Sequence, residues 1–175
     1  NMNFIKTKLK DVILFYPNVF SDERGTFRRH FCINELNKQI KFKKCYQANI
    51  SFNKKKATLR GFHYQTYPYQ EDKIVSCLVG EIYDVIIDLR VESKTYLKHQ
   101  GFYLNDINKK SLVVPKGFAH SFLTLKSNTT VHYYTSQVYY SKYERGIRYN
   151  DPLFNIKWPI KPKYISNKDQ NFSDY

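Results

Sequence analysis

Two stretches carry most of the information about the fold and the chemistry of this chain: Leu-Arg-Gly-Phe-His-Tyr-Gln at residues 59–65 and Pro-Lys-Gly-Phe-Ala-His-Ser-Phe at residues 115–122. Each places a histidine in an aromatic segment that also contains glycine. In an extended strand Arg60 and His63 point to opposite faces, but the intervening Gly61 can bend the chain. A fixed cation near a base suits an anionic substrate that must lose a proton. The alternative reading is two histidines packed in a core.

Length and charge narrow the class of protein. A chain of 175 residues fits one domain, residues 1–175, and can bury a hydrophobic core without disulfides. The formal net charge is +14, from 29 lysines and arginines against 15 acidic residues, which favours nucleic acid, a membrane surface or a phosphorylated small molecule as partner. The densest basic run, Lys54-Lys55-Lys56, contains no aromatic residue and reads as a solvated loop. We therefore expect no nucleic-acid partner.

The cysteines indicate a reducing compartment. Cys32, Cys45 and Cys77 are odd in number, lie far apart and form no Cys-x-x-Cys motif, so we interpret them as reduced thiols. No apolar run is long enough to cross a membrane, and the first residues lack the apolar core of a signal peptide. These features predict a cytoplasmic protein without a membrane partner.

Short strand signals separated by turn residues dominate the chain. The alternation over Cys45–Phe52 puts Gln47, Asn49 and Ser51 in one polar row, which suits the ligand-facing wall of a barrel. A longer strand pattern covers Glu81–Val91. Many short strands at close spacing predict an all-β barrel or sandwich.

Two segments depart from the strand pattern. Ile33–Lys38 predicts a short helix with Asn34 as its N-cap. From Asn150 onward three prolines predict an irregular tail with a little helix, which wraps the barrel.

Short segments across nearly the whole chain together resemble one family, the nucleotide-sugar 3,5-epimerases typified by dTDP-4-dehydrorhamnose 3,5-epimerase. They occur in the family's order and are Phe20–Gly25, Gln47–Ser51, Leu59–Gln65, Lys73–Val75, Asp84–Arg90, Val114–Phe122, Glu144–Ile147, Asn150–Pro152 and Ser166–Asp169. The resemblance implies an all-β fold, a cupin-type jelly-roll barrel with short peripheral helices and an irregular C-terminal tail. It also implies an isomerase that acts on a nucleotide-linked 4-keto sugar.

The chemistry of that family assigns four catalytic roles. Hydrogens at C3 and C5 of a 4-keto sugar are acidic, and inversion needs a base, a stabilised enolate and an acid on the other face. The resemblance implies that His63 is the base, that Asp169 holds its other ring nitrogen, and that Lys73 stabilises the enolate oxygen. Tyr133 falls where the family has its acid, and strand alternation places it on the face opposite His132 and Tyr134.

The resemblance also implies a set of substrate-binding residues. Those for the diphosphate are Arg24, Arg60 and Lys168; those lining the sugar and nucleotide are Gln47, Asn49, His120 and Glu144; and those stacking on the base are Phe27 and Tyr139. Arginine makes bidentate contacts with phosphate, and aromatic rings stack on different bases.

A metal and a redox cofactor are not expected. Many cupins bind a metal through a His-x-His pair, but here Tyr64 and Gln65 follow His63 and no His-x-His exists in the chain. Proton transfer requires neither group.

Asp84 is either an ion-pair partner for Lys73 or a barrel carboxylate whose hydrogen bonds are satisfied, and the sequence favours neither interpretation.

One departure from the family pattern concerns the nucleotide. Arg29 stands where the family usually has a glutamate taken to contact thymine. Guanine offers two acceptors that suit an arginine, so we expect a GDP-linked sugar that binds more tightly than its dTDP counterpart. The loop after Gln65 favours a bulkier sugar such as a 4-keto-heptose, in line with capsule or surface-polysaccharide synthesis. The alternative is a dTDP-4-keto-6-deoxyglucose 3,5-epimerase of the rhamnose pathway.

A second class of function is a non-catalytic cupin that binds a nucleotide sugar or nucleic acid. The complete set of His63, Asp169, Lys73 and Tyr133 argues for the enzyme, since a binding protein has no need of a base, its orienting partner, an enolate cation and an acid. Family members are usually dimers, so we expect a homodimer in which residues 1–16 cross to the neighbour's sheet and the Arg24 region completes the partner's site.

Overall fold

The computed structural model describes residues 1–175 and is built almost entirely of strands. In chain order the elements are β1 (Met2–Lys6), β2 (Ile13–Pro17), β3 (Val19–Asp22), β4 (Gly25–Arg28), α1 (Ile33–Leu36), β5 (Gln47–Asn53), β6 (Leu59–Gln65), β7 (Lys73–Val79), β8 (Glu81–Asp88), β9 (His99–Asn105), β10 (Ser111–Val114), β11 (Phe118–Thr124), β12 (Thr129–Thr135), β13 (Glu144–Gly146) and α2 (Asn167–Gln170). No helix among them has the length and apolar character needed to cross a lipid bilayer.

Two antiparallel sheets form the barrel. The six-stranded sheet has the order β1-β2-β10-β7-β12-β5, and the five-stranded sheet has the order β13-β6-β11-β8-β9. A separate hairpin of β3 and β4, here called the arm (residues 19–28), pairs with neither sheet. The fold is an all-β, cupin-type jelly roll, as predicted, and each sheet combines strands from distant parts of the chain. The single domain over residues 1–175 stays a prediction.

Apolar side chains form three layers. Consecutive strand residues enter different layers, as Leu14 and Phe15 do, because side chains alternate between the faces of a strand. The layer between the sheets contains Leu9, Val12, Leu14, Val75, Cys77, Ile82, Ile86, Phe102, Leu104, Leu112, Val114, Phe118, Phe122 and Val131. The layer beneath α1 contains Met2, Ile13, Phe15, Leu36, Phe42, Ile74 and Val113. The layer beneath the C-terminal tail contains Phe62, Val85, Ile87, Ala119, Ile147 and Phe154.

The predicted polar row on β5 is present, and the opposite face of that strand is open. Gln47, Asn49 and Ser51 are partly buried, whereas the side of the strand that carries Ile50 and Phe52 faces outward. Ile50 is 61% exposed and Phe52 is 58% exposed. The outward face of β5 is therefore an uncovered apolar surface on the six-stranded sheet. It lies at the edge of that sheet, where the backbone of β5 is also open to pairing.

Two local predictions were wrong in detail. Asn34 is not the N-cap, because the helix begins at Ile33 and Cys32 occupies the cap position without a side-chain bond. The long strand ends at Asp88, because the chain then turns and Arg90 donates two hydrogen bonds to the buried Asp88 carboxylate.

A β-bulge in β6 determines how the first quoted stretch is used. His63 pairs with His120 and Arg60 pairs with Phe122, so three steps along β6 match two steps along β11. The extra residue turns Arg60 and His63 onto the same face of the sheet. Gly61 lies in the bulge with φ of 102°. The bend expected from the glycine is therefore present.

Replacing Gly61 with alanine should destabilise the protein strongly. A Cβ at this position would lie 2.4 Å from the carbonyl oxygen of His120, and the positive φ adds about 1–3 kcal/mol of strain. Gly25→Ala is the matched control, because Gly25 also has a positive φ, of 125°, but no atom lies within 4 Å of its added Cβ. In urea unfolding we expect Gly61→Ala to lose clearly more free energy of unfolding than Gly25→Ala. Equal losses would contradict this account of the bulge.

Candidate active site

Two depressions meet at His63. The first, the barrel cavity, has a volume of about 330 Å³ and is lined by Gln47, Asn49, His63, Tyr64, Gln65, Glu71, Lys73, Tyr133, Thr135, Tyr139 and Glu144. The second, the outer groove, has a volume of about 540 Å³ and is lined by Thr58, Leu59, Arg60, His63, Lys163, Tyr164, Ile165, Ser166, Lys168 and Asp169. The histidine is therefore reached from both sides.

His63 and Asp169 form a close pair. His63 Nε2 lies 2.6 Å from Asp169 Oδ1, and the second carboxylate oxygen, Oδ2, accepts the Gly61 N–H at 3.0 Å. The side chain of His63 is 31% exposed and that of Asp169 only 6%. Because an ionised carboxylate only accepts hydrogen bonds, Nε2 carries the proton and Nδ1 is left as the basic nitrogen.

Electrostatics keep the Asp169 carboxyl ionised. Burial opposes its ionisation, but the hydrogen bond and charge of His63, together with the Gly61 N–H, outweigh burial and lower the pKa of Asp169. Ser166 Oγ accepts the Asp169 N–H at 3.1 Å and caps the short helix α2 that carries the carboxylate. The carboxylate can therefore orient the imidazole and stabilise its protonated form.

The six-stranded sheet supplies a hydroxyl and a cation to the same cavity. Tyr133 lies on β12. Burial is the main cause that raises the pKa of its hydroxyl, and the nearby Glu71 carboxylate raises it further, so the hydroxyl keeps its proton at neutral pH. Lys73 on β7 has its ammonium 6.0 Å from the centre of the Tyr133 ring and 3.4 Å from Glu71 Oε1. His132 and Tyr134 face the other side of β12 and contact each other there, which agrees with the predicted facing of Tyr133.

Glu144 links the two depressions. Its Oε2 accepts the Tyr139 hydroxyl at 2.9 Å and also pairs with the ammonium of Lys168. Burial opposes its ionisation, but the hydrogen bonds from Lys168 and Tyr139 lower the pKa of Glu144. Gln47 Oε1 accepts the Tyr139 N–H at 2.8 Å and so fixes the loop that holds the tyrosine.

His120 and Asp84 form a buried pair beside the cavity and do not line it. The His120 Nε2 atom is 2.7 Å from Asp84 Oδ2, and the residue is buried beside its cross-strand neighbour His63. His120 is not among the residues that line the barrel cavity, and the expectation that it lines the sugar stays a prediction. Asp84 is fully buried, its Oδ1 has no partner, and burial raises its pKa against the opposing effects of His120 and Lys73.

The two readings of Asp84 left open by the sequence are therefore both incomplete. The carboxylate is bonded to His120 rather than to Lys73, whose ion-pair partner is Glu71. One of its oxygens is unsatisfied, so it is not a fully satisfied barrel carboxylate either.

Three predicted substrate contacts lie away from both depressions. Arg24 is at the tip of the arm and pairs with Asp22 at 2.6 Å, while the Phe27 ring is 73% exposed. Arg29 donates to Glu35 Oε1 at 2.8 Å. None of the three lines the barrel cavity or the outer groove.

Four residues of the cavity wall were missed by the sequence analysis. Glu71 lies two residues before Lys73, Gln65 two after His63, and Thr135 two after Tyr133. Tyr64 follows His63 directly. Strand alternation carries the signal for the i,i+2 neighbours, because residues two apart on a strand share a face. Glu71 precedes the start of β7, which hid this relation.

The arrangement can take a proton from a substrate and return one. It contains a hydrogen-bonded imidazole, a neutral phenol and an ammonium around one cavity, with Arg60 and Lys168 in the groove beside it. Residues 1–175 contain no cluster of three or more histidine, cysteine or acidic side chains that could hold a metal ion. The expected lack of a metal and of a cofactor stays a prediction.

Comparisons of the sequence with known proteins all identify one family. A family model described as dTDP-4-dehydrorhamnose 3,5-epimerase matches residues 6–175. A dTDP-4-dehydrorhamnose 3,5-epimerase of Shigella flexneri is 40% identical over 97% of this chain and 94% of its own length.

Solved structures agree with the sequence comparisons. The crystal structure of dTDP-4-dehydrorhamnose 3,5-epimerase from Bacillus anthracis str. Ames with TDP and PPi bound superimposes with a TM-score of 0.96 at 34% identity and covers 100% of both chains. That of dTDP-6-deoxy-D-glucose-3,5-epimerase from Legionella pneumophila Philadelphia 1, in complex with dTDP-4-keto-L-rhamnose, has a TM-score of 0.90 at 34% identity and covers 97% of this chain and 90% of the other.

Asp169→Asn should cost stability in a pH-dependent way. The folded-state pKa of Asp169 lies below its ordinary value of 3.8, so its contribution is fully present above that value and is lost as the pH falls through the folded pKa. We expect Asp169→Asn to lower the free energy of unfolding by about 1.5–3 kcal/mol at pH 7, and by progressively less as the pH falls below 3.8, measured in urea.

Asp106→Asn is the matched control for this prediction. Asp106 Oδ2 accepts the N–H of Gly80 at 2.8 Å, much as Asp169 accepts that of Gly61, but Asp106 has no histidine partner. A loss for Asp169→Asn that does not change with pH would contradict the assignment of the ion pair.

Proposed function

Because the chain belongs to the dTDP-4-dehydrorhamnose 3,5-epimerase family and is a nucleotide-sugar 3,5-epimerase, we propose that its substrate is a dTDP-linked 4-keto-6-deoxy sugar. The enzyme inverts C3 and C5 by removing a proton from one face of the sugar and returning one to the other. The substrates for which the relatives are named support dTDP as the nucleotide.

One observation carries the mechanism. His63 enters the barrel cavity from the five-stranded sheet, whereas Tyr133 and Lys73 enter it from the six-stranded sheet. A sugar ring between the sheets therefore has a base on one side and a proton donor on the other. This is the geometry that inversion requires, because the proton must return to the face opposite the one it left.

The steps at each carbon are the same. His63 Nδ1 takes the proton from the carbon next to the C4 carbonyl, and the electron pair moves to O4 to form an enolate. Asp169 stabilises the resulting imidazolium, and the Lys73 ammonium stabilises the negative oxygen. The Tyr133 hydroxyl gives its proton to the carbon from the other face, the carbonyl reforms, and solvent restores both side chains.

Cations beside the dyad bind the diphosphate. Arg60 lies on the same face as His63 and holds its guanidinium through a 2.8 Å bond from Nε to Asn53 Oδ1, which leaves the terminal nitrogens for phosphate. Lys168 adds a second positive charge at the groove. Asn49 and Glu144 contact the sugar and nucleotide from the cavity wall, and the exposed Tyr139 ring stacks on the base.

The GDP reading drawn from Arg29 receives less support than the dTDP alternative. Relatives of 34–40% identity are named for dTDP sugars. The Arg29 guanidinium is bonded to Glu35 of its own subunit, so it is not free to pair with guanine in this arrangement. The heptose substrate, a role in capsule synthesis and the cytoplasmic location stay predictions from the sequence.

Proton NMR in D₂O tests the reaction and the roles of the two side chains. With dTDP-4-keto-6-deoxyglucose we expect deuterium at C3 and C5, and with the GDP-linked analogue we expect little. His63→Asn should slow the exchange by about 10²–10⁴-fold, because the base is lost. Tyr133→Phe should still exchange hydrogens through His63 but should invert them far more slowly, because the acid on the opposite face is lost.

Tyr134→Phe serves as the control, since this tyrosine is the next residue on β12 and faces away from the cavity. It should leave exchange and inversion unchanged. Faster exchange with the GDP-linked sugar would reject the dTDP assignment, and exchange by His63→Asn at the normal rate would reject His63 as the base.

The active form is a homodimer in which the arm of each subunit completes the other's site. The expectation that residues 1–16 cross to the neighbour's sheet is wrong, because β1 pairs with β2, and β2 with β10, in the chain's own six-stranded sheet. The arm pairs with neither sheet of its own subunit and exposes the apolar ring of Phe27. Arg24 at its tip is a cation that lies outside its own cavity. The exposed apolar face of β5 offers a surface for a second copy, because an uncovered edge strand favours association.

A mixed dimer separates shared sites from independent ones. We expect the His63→Asn variant and the double variant Arg24→Ala with Phe27→Ala each to be nearly inactive. In a dimer that contains one subunit of each kind, one site then combines an intact His63 with an intact arm. Activity per mixed dimer should return to about half that of the wild type, as expected if the arm acts in the partner's site.

The two variants carry different affinity tags, so the mixed dimer is isolated after co-expression and assayed by the same NMR exchange. Each variant dimer alone is the control. A mixed dimer as inactive as its parents would show that the arm serves its own subunit.

A further inference from the structure

Arg148 joins the tail to the barrel close to the catalytic pair. Its Nη1 donates to the carbonyl oxygen of Phe172 at 2.9 Å, its Nη2 pairs with Asp174 Oδ1 at 2.6 Å, and its Nε donates to Asn150 Oδ1 at 2.6 Å. All three nitrogens of the guanidinium therefore donate hydrogen bonds at once. The side chain of Arg148 is 25% exposed. A fork of this kind defines position and angle, which a single ammonium does not.

The segment that Arg148 holds, residues 166–175, contains the orienting carboxylate. Asp169 lies in α2, a helix of only four residues, which has little stability of its own. Most of this segment is exposed, with Asp169 as its buried residue. Its position therefore depends on a few attachments to the barrel.

The Phe172 ring forms the second link to the base. It meets the His63 ring edge to face, with 6.2 Å between the ring centres and an angle of 80° between their planes. Gly146 makes room for it, because a Cβ at that position would lie 2.0 Å from the Phe172 ring. Gly146 is also the cross-strand neighbour of His63, so the Phe172 ring lies over Gly146 and beside the His63 imidazole.

We propose that Arg148 is a positioning residue for catalysis. It acts through the 166–175 segment, holding Phe172 against the imidazole and Asp169 at hydrogen-bond distance from it. The inference rests on the proposed function only in that His63 is taken as the base. Displacing a catalytic group by about 1 Å can cost as much as 10²-fold in rate, so a looser segment should slow the chemistry more than it weakens binding.

The test compares Arg148→Gln with the wild type in kinetics and in the state of the histidine. We expect kcat to fall by about 10-fold to 10²-fold while KM changes by less than about twofold. In the substrate-free protein, the ring ¹⁵N shifts of His63 should move toward those of Asp169→Asn, which lacks the ionised partner. Asp174→Asn removes only the ion pair and keeps the bond to the Phe172 carbonyl, so it should shift both readouts in the same direction by less.

Arg90→Gln is the matched control. Arg90 is likewise a guanidinium with several bonds: it pairs with the carboxylates of Asp88 and Asp11 and donates to the carbonyl oxygen of Lys10, but it holds no part of the 166–175 segment. It should lower the melting temperature without changing kcat or the His63 shifts. If Arg148→Gln behaves like Arg90→Gln, the proposal is overturned and Arg148 is a structural residue only.

The two proposals fail separately. The ¹⁵N shifts need no substrate, so an unchanged His63 in Arg148→Gln rejects the positioning role even if the enzyme turns over as proposed. Wild-type protein that does not act on the dTDP-linked sugar rejects the proposed function, whereas the shifts still decide what Arg148 does.

Discussion

The site depends on one carboxylate that satisfies two groups at once. Asp169 accepts the N–H of Gly61 with one oxygen and bonds His63 with the other. The bulge at Gly61 turns Arg60 and His63 onto one face, and it also directs an otherwise unpaired backbone N–H toward the carboxylate. The backbone irregularity, the orientation of the base and the docking of the tail are therefore one structural feature, and a change in any of them should disturb the others.

The barrel separates opposing chemical roles between its two sheets. The five-stranded sheet carries the imidazole, and the six-stranded sheet carries the phenol and the ammonium of Lys73. Because an apolar layer packs between the sheets and further apolar layers pack against them, the side chains between the sheets stay at a defined spacing. Carboxylates accompany the cations, as Glu71 does Lys73 and Glu144 does Lys168, so the cavity of a strongly basic protein contains positive charge that is held in place.

Some site residues could be predicted from the sequence because they lie in short motifs with strand periodicity. Gln47, Asn49 and Tyr133 were assigned to the ligand-facing side by alternation, and the structure brings all three into the cavity. Those that could not be predicted depend on register. His120 has a motif as suggestive as that of His63, yet its ring bonds the buried Asp84 on the adjacent strand, a contact that the motif alone does not indicate.

By itself, the sequence determined the all-β class through hydrophobic alternation, and the order of its motifs determined the family, whose resemblance implied the jelly roll. Alternation and motif order are local properties that can be read without coordinates. Only the tertiary structure decided that Arg60 and His63 share a face, that Asp84 pairs with His120, and that Arg148 holds the tail. The physical reason is that these contacts join residues from different strands and from the tail, so they depend on one bulge and on the strand register, which no periodic pattern within a single strand encodes.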